Sequence, residues 1–157
     1  MRLTTYTDYA LRTLMHLAAH RDQLITIQDI ADLHHISKNH LTKVVHHLGQ
    51  LGLVTTIRGR SGGLKLGREP QTINVGQVVR VTETDFHMAE CFMGEDNQCV
   101  FASFCRLESA LARATQAFLA VLDAVTLDQL VVGGMMAIPQ AAPARAIPIV
   151  KVPRAAG

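Results

Sequence analysis

Cys91, Cys99 and Cys105 carry the most reactive chemistry in this sequence, and they lie within fifteen positions, separated by seven and then five residues. An odd thiol count leaves a remainder after any intramolecular disulfide, and in a reducing compartment thiols more often bind metal or react. Thiolate sulfur is a soft donor that suits iron-sulfur clusters and zinc, both of which draw several ligands from a short segment. The spacings are wider than the CxxC pairs of a structural zinc site, and sulfur supplies no fourth ligand. His87, Glu90, Asp96 and Glu108 stand nearby as imidazole or oxygen donors, and spacing singles out none of them. Zinc in a constitutive DNA-binding protein stays open as an alternative to a cluster. A thiol oxidoreductase is disfavoured, because the sequence has no CxxC, no phosphate-cradling glycine loop and no obvious nucleophile-base pair, and the chain reads as a non-enzyme.

A second set of residues has the chemistry of DNA recognition. Ser37, Asn39 and His40 open an amphipathic segment; a hydroxyl can bond either base, an amide pairs bidentately with adenine, and an imidazole reaches guanine or phosphate. Lys38 and Lys43 on the same segment suit phosphates, which position a protein without reading sequence. Arg58, Arg60 and Lys65 flank a glycine-rich turn, where a slim loop can place an arginine in a narrow minor groove.

Positioning these groups requires a particular order of elements. Thr7 can cap a helix running to about Ala19, with Tyr6, Ala10, Leu14 and Leu17 on one face. Thr26 and Asp29 start a short helix ending near Leu33, His34-His35-Ile36 forms a turn, and Ser37 caps a third helix. That helix buries Leu41, Val44, Val45, Leu48 and Leu51 and ends at Gly52. The β-prone runs on either side of Gly59-Arg60-Ser61-Gly62 predict a hairpin, and Asn74 with Gln77 starts a fourth helix. Helix, short helix, turn, helix and basic hairpin form a winged helix-turn-helix, whose third helix enters the major groove. The expected fold is therefore mainly α, with a small β-hairpin wing.

Periodicity disappears between Thr84 and Ser103, as expected of a loop organised by something other than a core, for which a metal is the natural candidate. From Cys105 a long helix follows with Leu107, Leu111, Ala114, Phe118, Val121 and Val125 at steps of four and three, a coiled-coil seam that needs a partner. The expected division is a DNA-binding unit over 1–83, a cysteine loop over 84–104, a dimerisation helix with a short following helix over 105–132, and a disordered Ala/Pro-rich tail over 133–157. Met135 and Met136 fall at its frayed start. The eight histidines, His16, His20, His34, His35, His40, His46, His47 and His87, lie mostly on polar faces or turns and read as surface residues.

At 157 residues the chain has room for one modest unit plus an extension. Tryptophan is absent and aromatics make up 4 %, so the core must come from Leu, Val, Ile and Ala. A net charge of +2 tilts only mildly towards an anionic partner. The first residues lack the apolar run of a signal peptide and no stretch of membrane-spanning length is free of charge, so the expected compartment is the cytoplasm.

The segments TDYALRTLMHLA, ISKNHLTKVVHHLGQLGLV and RGRSGGLKLG, followed by the three cysteines, resemble the iron-sulfur winged-helix transcription regulators, and in particular their nitric-oxide-sensing repressors, over roughly residues 1–131. The resemblance implies a homodimer built on the long helix over 105–125, two helix-turn-helix units reading palindromic double-stranded operator DNA, and a cluster near the dimer interface. It favours a 4Fe-4S cluster over 2Fe-2S, held by Cys91, Cys99 and Cys105. Asp8 of the other subunit would complete it, with Arg12 orienting that carboxylate. Nitric oxide would be the effector, its attack on the cluster iron releasing DNA. An iron-sulfur-assembly or redox-sensing regulator of the same fold is the alternative; that branch places a histidine two or three residues after the third cysteine, where this chain has Leu107 and Glu108.

Overall fold

The computed structural model describes residues 2–94, 97–101 and 105–131. Asp96, the end of the cysteine loop and the whole 133–157 tail with Met135 and Met136 therefore lie outside the described residues. Five helices and one hairpin are present among them: α1 (Thr5–Ala19), α2 (Ile27–His34), α3 (Lys38–Gln50), β1 (Val54–Ile57), β2 (Gly63–Leu66), α4 (Val75–Thr82) and α5 (Arg106–Asp123). No helix of the described residues is long and apolar enough to cross a membrane.

Local chemistry sets the element boundaries. The start of α1 corrects the sequence reading: Thr4 is the N-cap, its hydroxyl accepting from Thr7 N at 3.2 Å, and Thr7 is a buried residue of the first turn. Thr7 Oγ1 instead donates to Thr82 Oγ1 at 2.9 Å, so the helix begins one turn earlier and Thr7 joins α1 to α4. Thr26 and Asp29 form a reciprocal capping box at α2, satisfying two otherwise orphaned backbone donors. His35 ends α2 in the left-handed conformation, and Ser37 precedes α3 without a side-chain cap bond. Gly52, at φ 67°, supplies the left-handed residue that terminates α3, and Arg68 Nη2 donates to the freed Leu51 carbonyl at 2.9 Å.

The core sits where α1, α2, α3 and the base of the hairpin meet. Ala10, Leu14, Ile30, Leu41 and Leu48 are fully buried, with Val44, Leu64 and Ile73 nearly so. Strands β1 and β2 pair antiparallel with Val54 opposite Leu66 and Ile57 opposite Gly63. The wing is also tied to the body, because Leu64 and Ile25 exchange backbone hydrogen bonds of 2.8 and 3.2 Å.

Helix α5 lies against α4, and the chain beyond it returns to the core. Val75 N donates to Val125 O at 3.0 Å, Leu127 N donates to Ile73 O at 2.9 Å, and Leu127 is buried. Asn74 joins the two helices. Its Oδ1 caps α4 by accepting from Gln77 N at 2.9 Å, and its Nδ2 donates to Asp123 O at 2.6 Å. Gly76 faces Asp123 so closely that a β-carbon there would overlap the carboxylate. The Arg80 guanidinium grips the same carboxylate in a bidentate pair, which lowers the Asp123 pKa.

Candidate functional site

Helix α3 and the wing both present basic residues to solvent. Ser37, Lys38, Asn39, His40 and Lys43 are all exposed on the first half of α3, opposite the buried stripe Leu41, Val44, Val45 and Leu48. Arg58 and Arg60 are exposed at the hairpin tip, and Lys65 points outward from β2 opposite Thr55. Residues 33–68 contain no Asp or Glu and six Lys or Arg. Among the described residues none of these six cations is in a salt bridge, so their charge is available to an anionic partner. An exposed helix N-terminus adds backbone N–H groups aimed at anions.

The three cysteines are free and half-buried. Cys91 sits in a single 3₁₀ turn, Glu90–Phe92, and Cys105 occupies the N-cap position of α5. The loop holds its shape through short polar ties: Gln98 N donates to Glu90 Oε1 at 2.9 Å, Cys99 N donates to Asn97 Oδ1 at 2.9 Å, and Thr115 Oγ1 donates to Met88 Sδ at 2.9 Å. Desolvation pushes the Cys91 thiol pKa up, followed by the negative fields of Glu108, Cys105 and Cys99. The fold thus brings Glu108 and the other two thiols within electrostatic reach of Cys91.

Among the described residues no three His, Cys, Asp or Glu side chains are arranged to hold a single metal ion. A lone zinc needs its ligands around one point, whereas an iron-sulfur cluster spreads its thiolates over separate irons. Three soft donors on one loop fit the cluster in ligand chemistry. Asp8 is not among the charges acting on Cys91 within the chain. Its carboxylate accepts from Arg12 Nε at 3.0 Å, and both side chains are more than two-fifths exposed. His87 is exposed and lies beside Asp85.

Helix α5 divides the seam expected from its heptads. Leu107, Ala114 and Val121 are exposed, whereas Leu111, Phe118 and Val125 are half-buried. The exposed stripe includes Ala110 and Ala117, giving a face of small residues between Leu107 and Val121 that reaches the C-cap Ala124. No residue of α5 is fully buried. Val100 and Phe101, in the cysteine loop, are 87 % and 69 % exposed.

Sequence reasoning missed several residues. His16 is 5 % exposed, not a surface residue, with its ring stacked on His20 at 4.5 Å and edge-on to His34 at 5.7 Å. Its place on the α1 ladder Asp8, Arg12, His16 carried no mark of burial, because α2 covers it only in the folded chain. Tyr6, read as core, is half-buried and reaches His47 of α3. Arg68, which closes the end of α3, follows the wing with no motif to flag it.

A helix-turn-helix whose third helix and two-stranded wing both present basic, acid-free surface defines a winged-helix DNA-binding regulator of transcription. The family model described as Rrf2, iron-dependent transcriptional regulator, matches residues 3–133, and the chain belongs to this family. It is 54 % identical over 132 residues to the HTH-type transcriptional regulator NsrR of Bacillus subtilis, covering 83 % of this chain and 90 % of the relative. The NsrR of Bacillus licheniformis is 52 % identical over 132 residues, with 83 % and 92 % covered. Among solved structures, T. potens IscR superposes with a TM-score of 0.66 at 26 % identity over 83 % of this chain and 85 % of that one.

Proposed function

We propose that this regulator is a homodimeric repressor that binds palindromic operator DNA and releases it when nitric oxide reacts with an iron-sulfur cluster held by Cys91, Cys99 and Cys105. The observation that carries this reading is three free thiols, outside the helix-turn-helix core, on the segment that leads into the helix with the uncovered apolar face, with Cys99 and Cys105 within electrostatic reach of Cys91. The bound cluster would supply iron that reacts with nitric oxide, a chemistry no side chain of this protein offers.

The chain's own residues do the rest. Ser37, Asn39 and His40 read bases from the start of α3 while Lys38, Lys43, Arg58, Arg60 and Lys65 meet phosphates. The exposed stripe Leu107, Ala110, Ala114, Ala117, Val121 and Ala124 packs against its copy, small residues allowing close approach, and holds two α3 helices about one DNA turn apart. Asp8 of the partner completes the ligand set. A carboxylate is a hard donor for iron and the most exchangeable of the four, and Arg12 holds it ready. A family relationship to proteins titled NsrR supports this assignment over a zinc-structured one.

Purification without oxygen, visible absorption with iron and sulfide analysis, and titration of nitric oxide against operator binding test the proposal. A brown protein that loses DNA as nitric oxide is added is the expected result. A colourless protein, still apo after reconstitution and binding DNA regardless of nitric oxide, overturns it.

A further inference from the structure

The first two turns of α1 face three ways. At about 100° per residue, Tyr6, Thr7 and Asp8 point to different sides of the helix, with Tyr6 and Asp8 about 200° apart. Thr7 meets Thr82 at the end of α4, and the cap residue Thr4 donates its N–H to Glu83 Oε1 at 2.8 Å. Asp8 pairs outward with Arg12. Tyr6 turns to α3, where its hydroxyl and His47 Nδ1 are 3.0 Å apart and the rings lie 5.9 Å apart at 40°.

Among the described residues this is the side-chain hydrogen bond that joins α1 to the recognition helix. The buried residues that the two helices give to the shared core are apolar, Ala10, Leu14 and Leu17 from α1 and Leu41, Val44, Val45 and Leu48 from α3. Apolar packing is non-directional and leaves sliding and rotation of one helix on another cheap, whereas a hydrogen bond fixes a direction. Burial raises the Tyr6 phenol pKa, so the hydroxyl keeps its proton and donates when the imidazole carries its own on Nε2.

We infer that the Tyr6–His47 pair is a positioning contact that fixes the setting of α3 on α1 for operator reading, and that it passes any displacement of α1 at Asp8 to the DNA-reading surface. The second half rests on the function proposed above; the first half does not. Tyr6 and His47 touch no reacting group and act only through the placement of α3.

The test uses the full chain, a duplex selected by the wild type from a random pool, and a scrambled duplex of the same length. Tyr6→Phe removes one oxygen and leaves the ring packing in place. It should weaken binding to the selected duplex about three- to tenfold, the range of one net hydrogen bond, lower the melting temperature by no more than a few degrees so that the chain stays folded at the assay temperature, and leave scrambled-duplex binding within error. In a cycle with His47→Ala, the double variant should lose no more than His47→Ala alone. The ratio of cluster-loaded to cluster-free affinity should also shrink in Tyr6→Phe. Equal loss on both duplexes, or additive losses in the cycle, overturns the positioning role. An unchanged ratio overturns the transmission role. A wild-type ratio of one overturns the cluster-sensing function instead, and the duplex comparison still decides the pair on its own.

Discussion

Replacing Gly76 by alanine perturbs the joint between the DNA-binding unit and α5 by a single methyl group. That methyl would overlap the Asp123 carboxylate and lie 2.9 Å from Asp123 N. The carboxylate can swing away at the expense of its pair with Arg80, an exposed pair screened by solvent, so that loss is the smaller part. The backbone nitrogen cannot swing, because the end of α5 is pinned by Asn74 Nδ2 on Asp123 O and by Val75 N on Val125 O. The remaining overlap must be relieved by moving α5 outward, an overpacking cost of about 1–3 kcal/mol. Gly76→Ala should therefore lower the melting temperature by about 4–12 °C, at roughly 4 °C per kcal/mol for a chain of this size. Asp123→Ala alone should cost less than Gly76→Ala, and the double variant should recover only part of the Gly76→Ala loss. Thermal melts of the three variants, with the solution mass of each, decide the matter. A Gly76→Ala protein as stable as the wild type, or full recovery in the double variant, would refute the claim that backbone contact sets how close the helices come.

Four further outcomes are expected. Phosphate contacts by Lys38, Lys43, Arg58, Arg60 and Lys65 in both protomers would give a salt slope approaching about −9 at ~0.9 per contact, and Arg60→Ala should reduce it by about 2, measured as operator affinity against salt concentration. An unchanged slope would remove the wing from the interface. Asp8→Ala should leave the melting temperature within error, since its exposed pair with Arg12 contributes only a few tenths of a kcal/mol, while changing the rate of nitric-oxide response. An identical rate would count against a ligand role. The pKa of His16 is lowered, first by burial and then by His20 and His34 against the opposing field of Asp29. The unfolded chain therefore takes up a proton first as pH falls through about 6.5, and stability declines from there down to the folded pKa, by at most about 1.4 kcal/mol per pH unit. Denaturant melts from pH 7.5 to 5 on the wild type and His16→Leu check this, the variant showing the shallower decline. Val121→Glu should shift the protein towards monomer by placing like charges across the exposed face of α5, read as solution mass; an unchanged dimer places the interface elsewhere.

The helix-turn-helix was legible because its signals are local. The capping box Thr26/Asp29, the stripe on α3 and the glycine-flanked turn each lie within one element, and each appears where periodicity and turn chemistry put it. What escaped was pairing across long sequence separations. The position of Thr7 in the first turn reads as a cap until Thr82, seventy-five residues away, is seen to take its hydroxyl. His16 looks solvated until α2 folds over it. The heptads of α5 are compatible with several faces, and only α4 and the loop before α5 decide which apolar residues are used within the chain and which are left for another. The thiol spacing conveyed ligand chemistry without saying how three sulfurs are brought near one another.

The same long-range ties explain why one short helix can serve two functions. Helix α1 contributes Leu14 and Leu17 to the core, and its first turns are held as well, by Thr4 on Glu83 and the buried Thr7 on Thr82 towards α4 and by Tyr6 on His47 towards α3. In the function proposed above, a bond made or broken at Asp8 acts on α3 through the Tyr6–His47 contact, worth about 1 kcal/mol, the scale at which occupancy of a DNA site changes severalfold. Heavier coupling would require a polar network buried between α1 and α3, and among the described residues the interface has the one hydrogen bond. A sensor built this way responds in graded fashion. Its DNA affinity should fall by a factor of about five per protomer, not vanish, when the bond at Asp8 is lost.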